Sequence, residues 1–320
     1  MPSLTCQQVG PCSHARVDRV TTTRGSRVWA PLITLWIVWG STYVGIALQG
    51  QSMPPLLSNG TRLMLAGLLL AAGLAIRGQG QQLRISWAQL RSVATVGLGL
   101  MGFGIGTLVL AERYVPSSVA ALIVSSIPLW IVLLRSGSGD RPGKVTLAGV
   151  VVGLVGLGLM LLPGGSVPVR GTAMDVTLWS LAIVLSSFIW ALVSYRSRNY
   201  AMPGNALVSA AYELVIGGAS LTILGLLLGD RITPSQFTTS SNAAWLYMVV
   251  ASVVGYGCYS YLLAHAPISL LSTYAYVNPG VAVLLGFLIL GEPLSRAVAI
   301  GLTVVVGGVV LVVSGERRRA

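Results

Sequence analysis

Apolar residues along this chain gather into ten runs with hardly a charge inside them, at about 29–48, 56–76, 90–111, 114–134, 145–162, 176–195, 205–228, 243–264, 269–290 and 296–314. A helix crossing the hydrocarbon layer needs roughly 20 mostly apolar residues. The pattern therefore predicts an all-α polytopic membrane bundle of ten transmembrane helices. The polar stretches between the runs are short, from about two to thirteen residues, which leaves no room for a soluble catalytic domain. Any chemistry has to happen within the bundle.

The runs repeat. Sliding the sequence against itself by 151 residues superposes Trp39 on Trp190, Gly67 on Gly218, Gly104 on Gly255, Gly106 on Gly257, Pro116 on Pro267, Pro128 on Pro279 and Pro142 on Pro293. One further residue of slip pairs Gly149 with Gly301 and Gly156 with Gly308. The halves read as duplicates: a first repeat over 29–162 and a second over 176–314, joined by a linker at 163–175 and flanked by tails at 1–28 and 315–320. Each repeat holds an odd number of spans, so the second enters the membrane the other way round. Two inverted five-helix repeats are the plan of many transporters. Two copies that exchange local packings would open a central site to each side in turn.

Composition agrees with this picture and charge refines it. Hydrophobic residues make up 54% of the chain and charged residues 9%, against roughly 25% charged in an average soluble domain. A net charge of +12 would point to nucleic acid in a soluble domain, but placement decides against that partner. With the N-terminus in the cytoplasm, all but five of the 20 Lys and Arg fall in cytoplasmic tails, loops or helix ends. The exceptions are Arg62, Arg113, Arg170, Arg231 and Arg296. This positive-inside bias predicts cytoplasmic termini and a multi-pass place in the cell inner membrane. The first 28 residues are polar, carry arginines and lead straight into a full span, so they read as a tail and not a cleaved signal. Cys6, Cys12 and Cys258 offer no disulfide framework, and Cys6, Cys12 and His14 lack a fourth metal ligand.

The residues also carry a family likeness. Trp39-Gly40-Ser41-Thr42-Tyr43-Val44, Arg62-Leu63-Met64-Leu65-Ala66-Gly67, Ser272-Thr273-Tyr274-Ala275-Tyr276-Val277-Asn278-Pro279 and Gly291-Glu292-Pro293-Leu294 resemble the EamA-domain branch of the drug/metabolite transporter superfamily. The resemblance runs from residue 29 to 314. It implies a ten-helix inner-membrane permease, usually an exporter of amino acids, metabolites or drugs. The first half departs from the pattern: Gly139-Asp140-Arg141-Pro142 stands where the second half has Gly-Glu-Pro-Leu.

Two ionisable groups sit well inside spans, Arg62 and Glu213, and the repeat offset maps one onto the other. Each costs roughly 2.5 to 3.5 kcal/mol to insert near the bilayer centre, which marks it as a functional candidate; the competing reading is a snorkelling or polar-paired structural role. Glu213, the one carboxylate deep in a span, is the proton-coupling candidate, because desolvation favours its neutral form. Pro128 and Pro279 kink their helices and free the carbonyls of Val124 and Ala275, which must face protein, water or a ligand. Ser125, Ser126, Tyr274, Tyr276 and Asn278 cluster there as substrate-binding candidates, against the alternative of an interhelical hydrogen-bond network. Trp39, away from the interface where tryptophan is usual, joins Thr42, Tyr43 and Trp190 as a cavity-lining candidate able to stack on an aromatic or cationic solute, with Tyr256 and Tyr259 ranked after them. Simple packing is the rival.

Other features carry less. Gly97-Leu98-Gly99-Leu100-Met101-Gly102 matches G-x-G-x-x-G but lies inside an apolar span, not between a strand and a helix, so it is not a dinucleotide loop. Gly149 and Gly153 read as close helix contacts, within the protomer or across a homodimer. Glu112, Arg113, Glu292 and Arg296 fall at outer helix ends, where a solvated role is the default, and His265 at a cytoplasmic end.

With no Walker-type loop, no cofactor motif and no metal site, the sequence points to a secondary transporter of small solutes, with the lipid bilayer and a small-molecule substrate as its partners. Its cavity would lie between helices 1, 2, 4, 6, 7 and 9. A lipid or lipid-linked carrier translocase on the same fold is the alternative. An intramembrane enzyme is disfavoured by the thin inventory of nucleophiles and bases.

Overall fold

The computed structural model describes residues 25–139, 142–160, 168–231, 233–266, 268–271, 273–293 and 295–317. Cys6, Cys12, His14, Asp140, Arg141, Ser272 and Leu294 lie outside the described residues, as does the side chain of Tyr276. The described regular structure is helical throughout. The first half supplies α1 (Gly25–Gln49), α2 (Pro55–Leu74), α3 (Trp87–Gly97), α4 (Gly106–Ala111), α5 (Ser117–Val124), α6 (Ile127–Gly137) and α7 (Lys144–Met160). The second supplies α8 (Ala173–Ser197), α9 (Ala206–Leu227), α10 (Thr239–His265), α11 (Ile268–Leu271), α12 (Tyr274–Leu290) and α13 (Arg296–Arg317).

A π-helical stretch, Leu98–Ile105, joins α3 to α4 in one rod over Trp87–Ala111, and α5 with α6 forms another over Ser117–Gly137. Among the described residues, 8 helices are long and apolar enough to cross a membrane, and Lys144–Gly156 and Val277–Leu290 form shorter apolar helices. Helix starts are marked by local caps that satisfy otherwise orphaned N–H groups. Ser86 pairs reciprocally with Gln89, Thr172 with Asp175, and Thr238 receives Ser241 N–H. Gly291, at φ 67, closes α12 in the left-handed conformation that a Cβ disfavours.

The bundle is apolar on its outside, and its largely apolar interior holds a set of buried polar groups. Ile37, Leu68, Leu178, Leu185, Leu284 and Leu288 stand exposed, whereas Arg62, Glu112, Glu213 and a series of serines are buried. An apolar exterior with charges held inside departs from the soluble pattern and suits a chain whose solvent is lipid.

Glycines set the closest helix contacts. A Cβ on Gly60 would lie 2.7 Å from Gly218 O, one on Gly67 2.7 Å from Ala211 O, and one on Gly218 2.6 Å from Gly60 O. As the number rises along α2 it falls along α9, so this pair is antiparallel and meets backbone to backbone. The pair α7 and α13 behaves alike: a Cβ on Gly149 would lie 2.6 Å from Val312 N, on Gly156 2.9 Å from Val305 N, and on Gly315 2.7 Å from Thr146 N. The Gly149 and Gly153 face is thereby occupied within the chain by α13 and by Leu129. Around these two pairs, α1 packs on α10 and α12, and α8 packs on the α3–α4 rod and on α5 and α6.

Candidate functional site

Trp39 sits midway along α1, and the helix facing it makes room. A Cβ on Gly255 of α10 would collide with the Trp39 indole Nε1 and lie 2.8 Å from Cδ1. The indole is surrounded by three tyrosines. Tyr274 meets it edge-on with centroids 5.1 Å apart, Tyr259 stacks at 5.3 Å and 27°, and Tyr256 approaches at 5.9 Å. These are the offset and edge-to-face geometries aromatic quadrupoles favour. Thr42 is turned back into its own helix, donating to Trp39 O at 2.6 Å. Tyr43, one turn on from Trp39, packs against the main core cluster.

Arg62 and Glu213 flank this aromatic group. Each is seven residues from the start of its helix, roughly 10 Å in at 1.5 Å per residue. Because α2 and α9 run antiparallel, the two enter from opposite ends. Arg62 is 3% exposed, with Nε donating to Asn59 Oδ1 at 2.7 Å and Nη1 to Ser252 Oγ at 3.4 Å. Glu213 is 9% exposed and accepts no hydrogen bond among the described residues. No ion pair joins the two. Tyr256 lies within electrostatic reach of both, and Tyr259 of Glu213.

The helix breaks hold polar groups whose bonds are mostly taken. α5 stops at Val124 and α6 restarts at Ile127, with Pro128 in its first turn, where its missing N–H costs nothing. The Ser125 hydroxyl donates to Leu122 O and that of Ser126 to Ile123 O, both at 2.6 Å, while Trp130 Nε1 donates to Ser126 Oγ at 3.0 Å. In the second half the break comes before the proline: α12 starts at Tyr274 and carries Pro279 inside it. With its amide nitrogen donating, Asn278 reaches Trp36 O and Tyr274 O, each at 3.2 Å. Asn278 and Tyr274 are thus drawn to α1 beside Trp39, whereas Ser125 and Ser126 are spent within their own helix. Trp190 lies elsewhere, against Gly104, where a Cβ would be 2.7 Å from Cε3.

The sequence reading missed Glu112. Helix-end placement made a solvated role the default, yet the side chain is 5% exposed and among the described residues neither carboxylate oxygen has a hydrogen-bond partner. Depth at a helix end cannot be read from sequence, since one turn of tilt or burial decides it. Glu292, with the same default, reaches back across the bundle: Oε1 accepts Ser117 N at 2.7 Å and Ser117 Oγ at 2.8 Å, and Oε2 accepts Ser118 N at 3.0 Å. It caps α5 from the other half of the chain, on the positive end of that helix. Glu112 and Glu292 both line a cavity of about 170 Å³ at the end of α1, together with Gln51, Arg113 and Arg170. A second cavity, of about 400 Å³, lies where α2 ends and α9 begins, lined by Gln82, Arg84 and Asn205.

This inventory has aromatic faces, one guanidinium and buried carboxylates, and among the described residues no group of three His, Cys, Asp or Glu side chains placed to hold a metal. It is suited to holding a solute.

Relatives agree with a transport role. The chain is 33% identical over 292 residues to YedA of Escherichia coli K12, described as an uncharacterized inner membrane transporter, covering 90% of this chain and 91% of that one. It is 23% identical over 294 residues to the uncharacterized transporter YoaV of Bacillus subtilis, covering 88% and 95%, and 27% identical over 281 residues to protein PecM of Dickeya dadantii, covering 86% and 88%. A solved crystal structure shares the fold with a TM-score of 0.65 at 22% identity, covering 92% of this chain and 99% of that one. The EamA-like transporter family model matches twice, over residues 29–162 and 177–314. A multi-pass membrane protein by its helices and a transporter by its relatives, the chain belongs to the EamA-like transporter family.

Proposed function

We propose that the protein is a secondary transporter that exports small solutes, metabolites, amino acids or drug-like compounds, across the inner membrane by alternating access. Ten spans in two inverted five-helix repeats, with both termini cytoplasmic, make up the machine. The antiparallel α2–α9 and α7–α13 pairs support the inversion. If a two-fold axis exchanges the halves, the contact of Gly67 with Ala211 becomes that of Gly218 with Gly60, and both occur. An axis that exchanges two antiparallel helices lies across them, in the plane of the membrane.

The observation that carries the reading is the juxtaposition of Trp39, Tyr256, Tyr259 and Tyr274 with Arg62 and Glu213 in the interior of a bundle with a lipid-like exterior. Buried charge without an ion-pair partner is costly in such a setting, and its retention beside stacked rings suits a solute with an apolar or aromatic body and a polar head. Tyr43 and Asn278 extend that wall, and Pro128 and Pro279 mark where α5–α6 and α12 flex. Reconstituted protein should exchange at least one compound of a metabolite panel across liposomes. Folded protein that moves none, with or without a pH gradient, refutes the proposal.

A further inference from the structure

Glu112 follows Ala111, just beyond the rod Trp87–Ala111, and beside it lies the outer cavity. Both of its oxygens are buried, and among the described residues neither receives a hydrogen bond. An ionised carboxylate left so would forfeit several kcal/mol of solvation. Three occupants could relieve that: a metal ion, an ammonium group or a proton. A metal needs several ligands, and the described residues form no such group. An ammonium group needs space at the oxygens, which are closed. A proton needs none.

Among the described residues the surrounding charges leave the site unpaired. α2 presents Arg62, already bonded to Asn59 and Ser252. α1 presents Tyr43, and the segment after α12 presents Glu292, already engaged by Ser117 and Ser118. Arg113 and Arg170 line the cavity but do not ion-pair with Glu112. The first turn of α8 carries Asp175, which is bonded to Thr172. Burial raises the Glu112 carboxyl above the ordinary carboxylate range, Glu292 adds to the rise and Arg62 opposes it.

We propose that Glu112 is a proton-binding site of the transport cycle, distinct from the Trp39 cluster and loaded through the outer cavity. When the cycle opens the seal over Glu112 toward the cavity, an O–H bond of hydronium breaks as one forms at a Glu112 oxygen, leaving water, and the reverse step returns that proton to water as hydronium. The coupling role rests on the transporter reading; the occupancy of the site does not.

Infrared spectroscopy of the full chain in nanodiscs tests the occupancy, in a Glu213→Gln background that silences the other buried acid. A protonated-carboxyl band is expected at neutral pH, lost in Glu112→Gln and kept but displaced in Glu112→Asp. An identical band in folded Glu112→Gln overturns the proposal, and if that variant does not fold, an undisplaced band in Glu112→Asp does so. In proteoliposomes with otherwise native sequence and a gradient of about one pH unit, Glu112→Gln should retain solute counterflow and lose about tenfold in pH-gradient-driven accumulation, the concentration ratio that one coupled proton can sustain. Wild-type accumulation in Glu112→Gln overturns the coupling. Absence of counterflow in the native protein would instead refute the transporter reading, while the band still decides the occupancy of Glu112.

Discussion

Trp39 and Trp190 hold matching places in the two halves of the sequence, and each is pressed against a glycine, Gly255 and Gly104, that leaves no room for a methyl group. What surrounds them differs. Tyr256, Tyr259 and Tyr274 enclose Trp39, while the same offset places Ile105, Leu108 and Ile123 at the corresponding positions of the other half. The indole-on-glycine contact is therefore a packing device that recurs in both halves. The tyrosine wall is a chemical feature that only one copy carries. Arg62 and Glu213 show the same divergence with opposite charge, and Glu112 corresponds to Leu263. A duplicated bundle keeps its helix spacing because backbone contact tolerates little change, whereas side chains lining the interior are free to specialise.

The largest effect expected from breaking this asymmetry is at Glu213. Glu213→Gln should cut pH-gradient-driven flux at least about a hundredfold, the scale of losing a single proton-transferring group; unchanged flux in reconstituted vesicles would remove it from the coupling. Next comes the aromatic wall. Tyr259→Leu with Tyr274→Ile writes the first half's residues into the second, deleting two ring contacts of about 0.5–1.5 kcal/mol each. KM for the solute should rise about tenfold or more, at 1.4 kcal/mol per tenfold, while Trp190→Phe leaves KM where it was.

The glycine pair separates packing from binding. Gly255→Ala and Gly104→Ala should each cost about 1–3 kcal/mol by overpacking, seen as a lower melting temperature in detergent. Only Gly255→Ala, which displaces the ring among the tyrosines, should also change KM; equal KM shifts in both would mean that the two tryptophans do the same work. The smallest effect is at Glu292. Glu292→Gln weakens the cap on α5 by about 1 kcal/mol, a modest loss in the same thermal assay. The acid has no counterpart at the 151 offset, where Arg141 stands.

Helix content and membrane class were legible in the sequence because they rest on local properties: apolar run length and the scarcity of charge. Arg62, Glu213 and Trp39 were legible as well, since a charge or an indole inside an apolar run is anomalous wherever the helix packs. Tyr256 and Tyr259 were harder to single out, because their meeting with Trp39 is made across α1 and α10, far apart in the chain. Ser125 and Ser126 resembled binding groups by composition, yet whether a hydroxyl is free depends on a local turn that returns it to its own helix. Glu112 depended on tertiary structure altogether. A carboxylate one residue past a span is solvated or sealed according to what the neighbouring helices place over it, and that cover comes from packing between segments that no local pattern specifies.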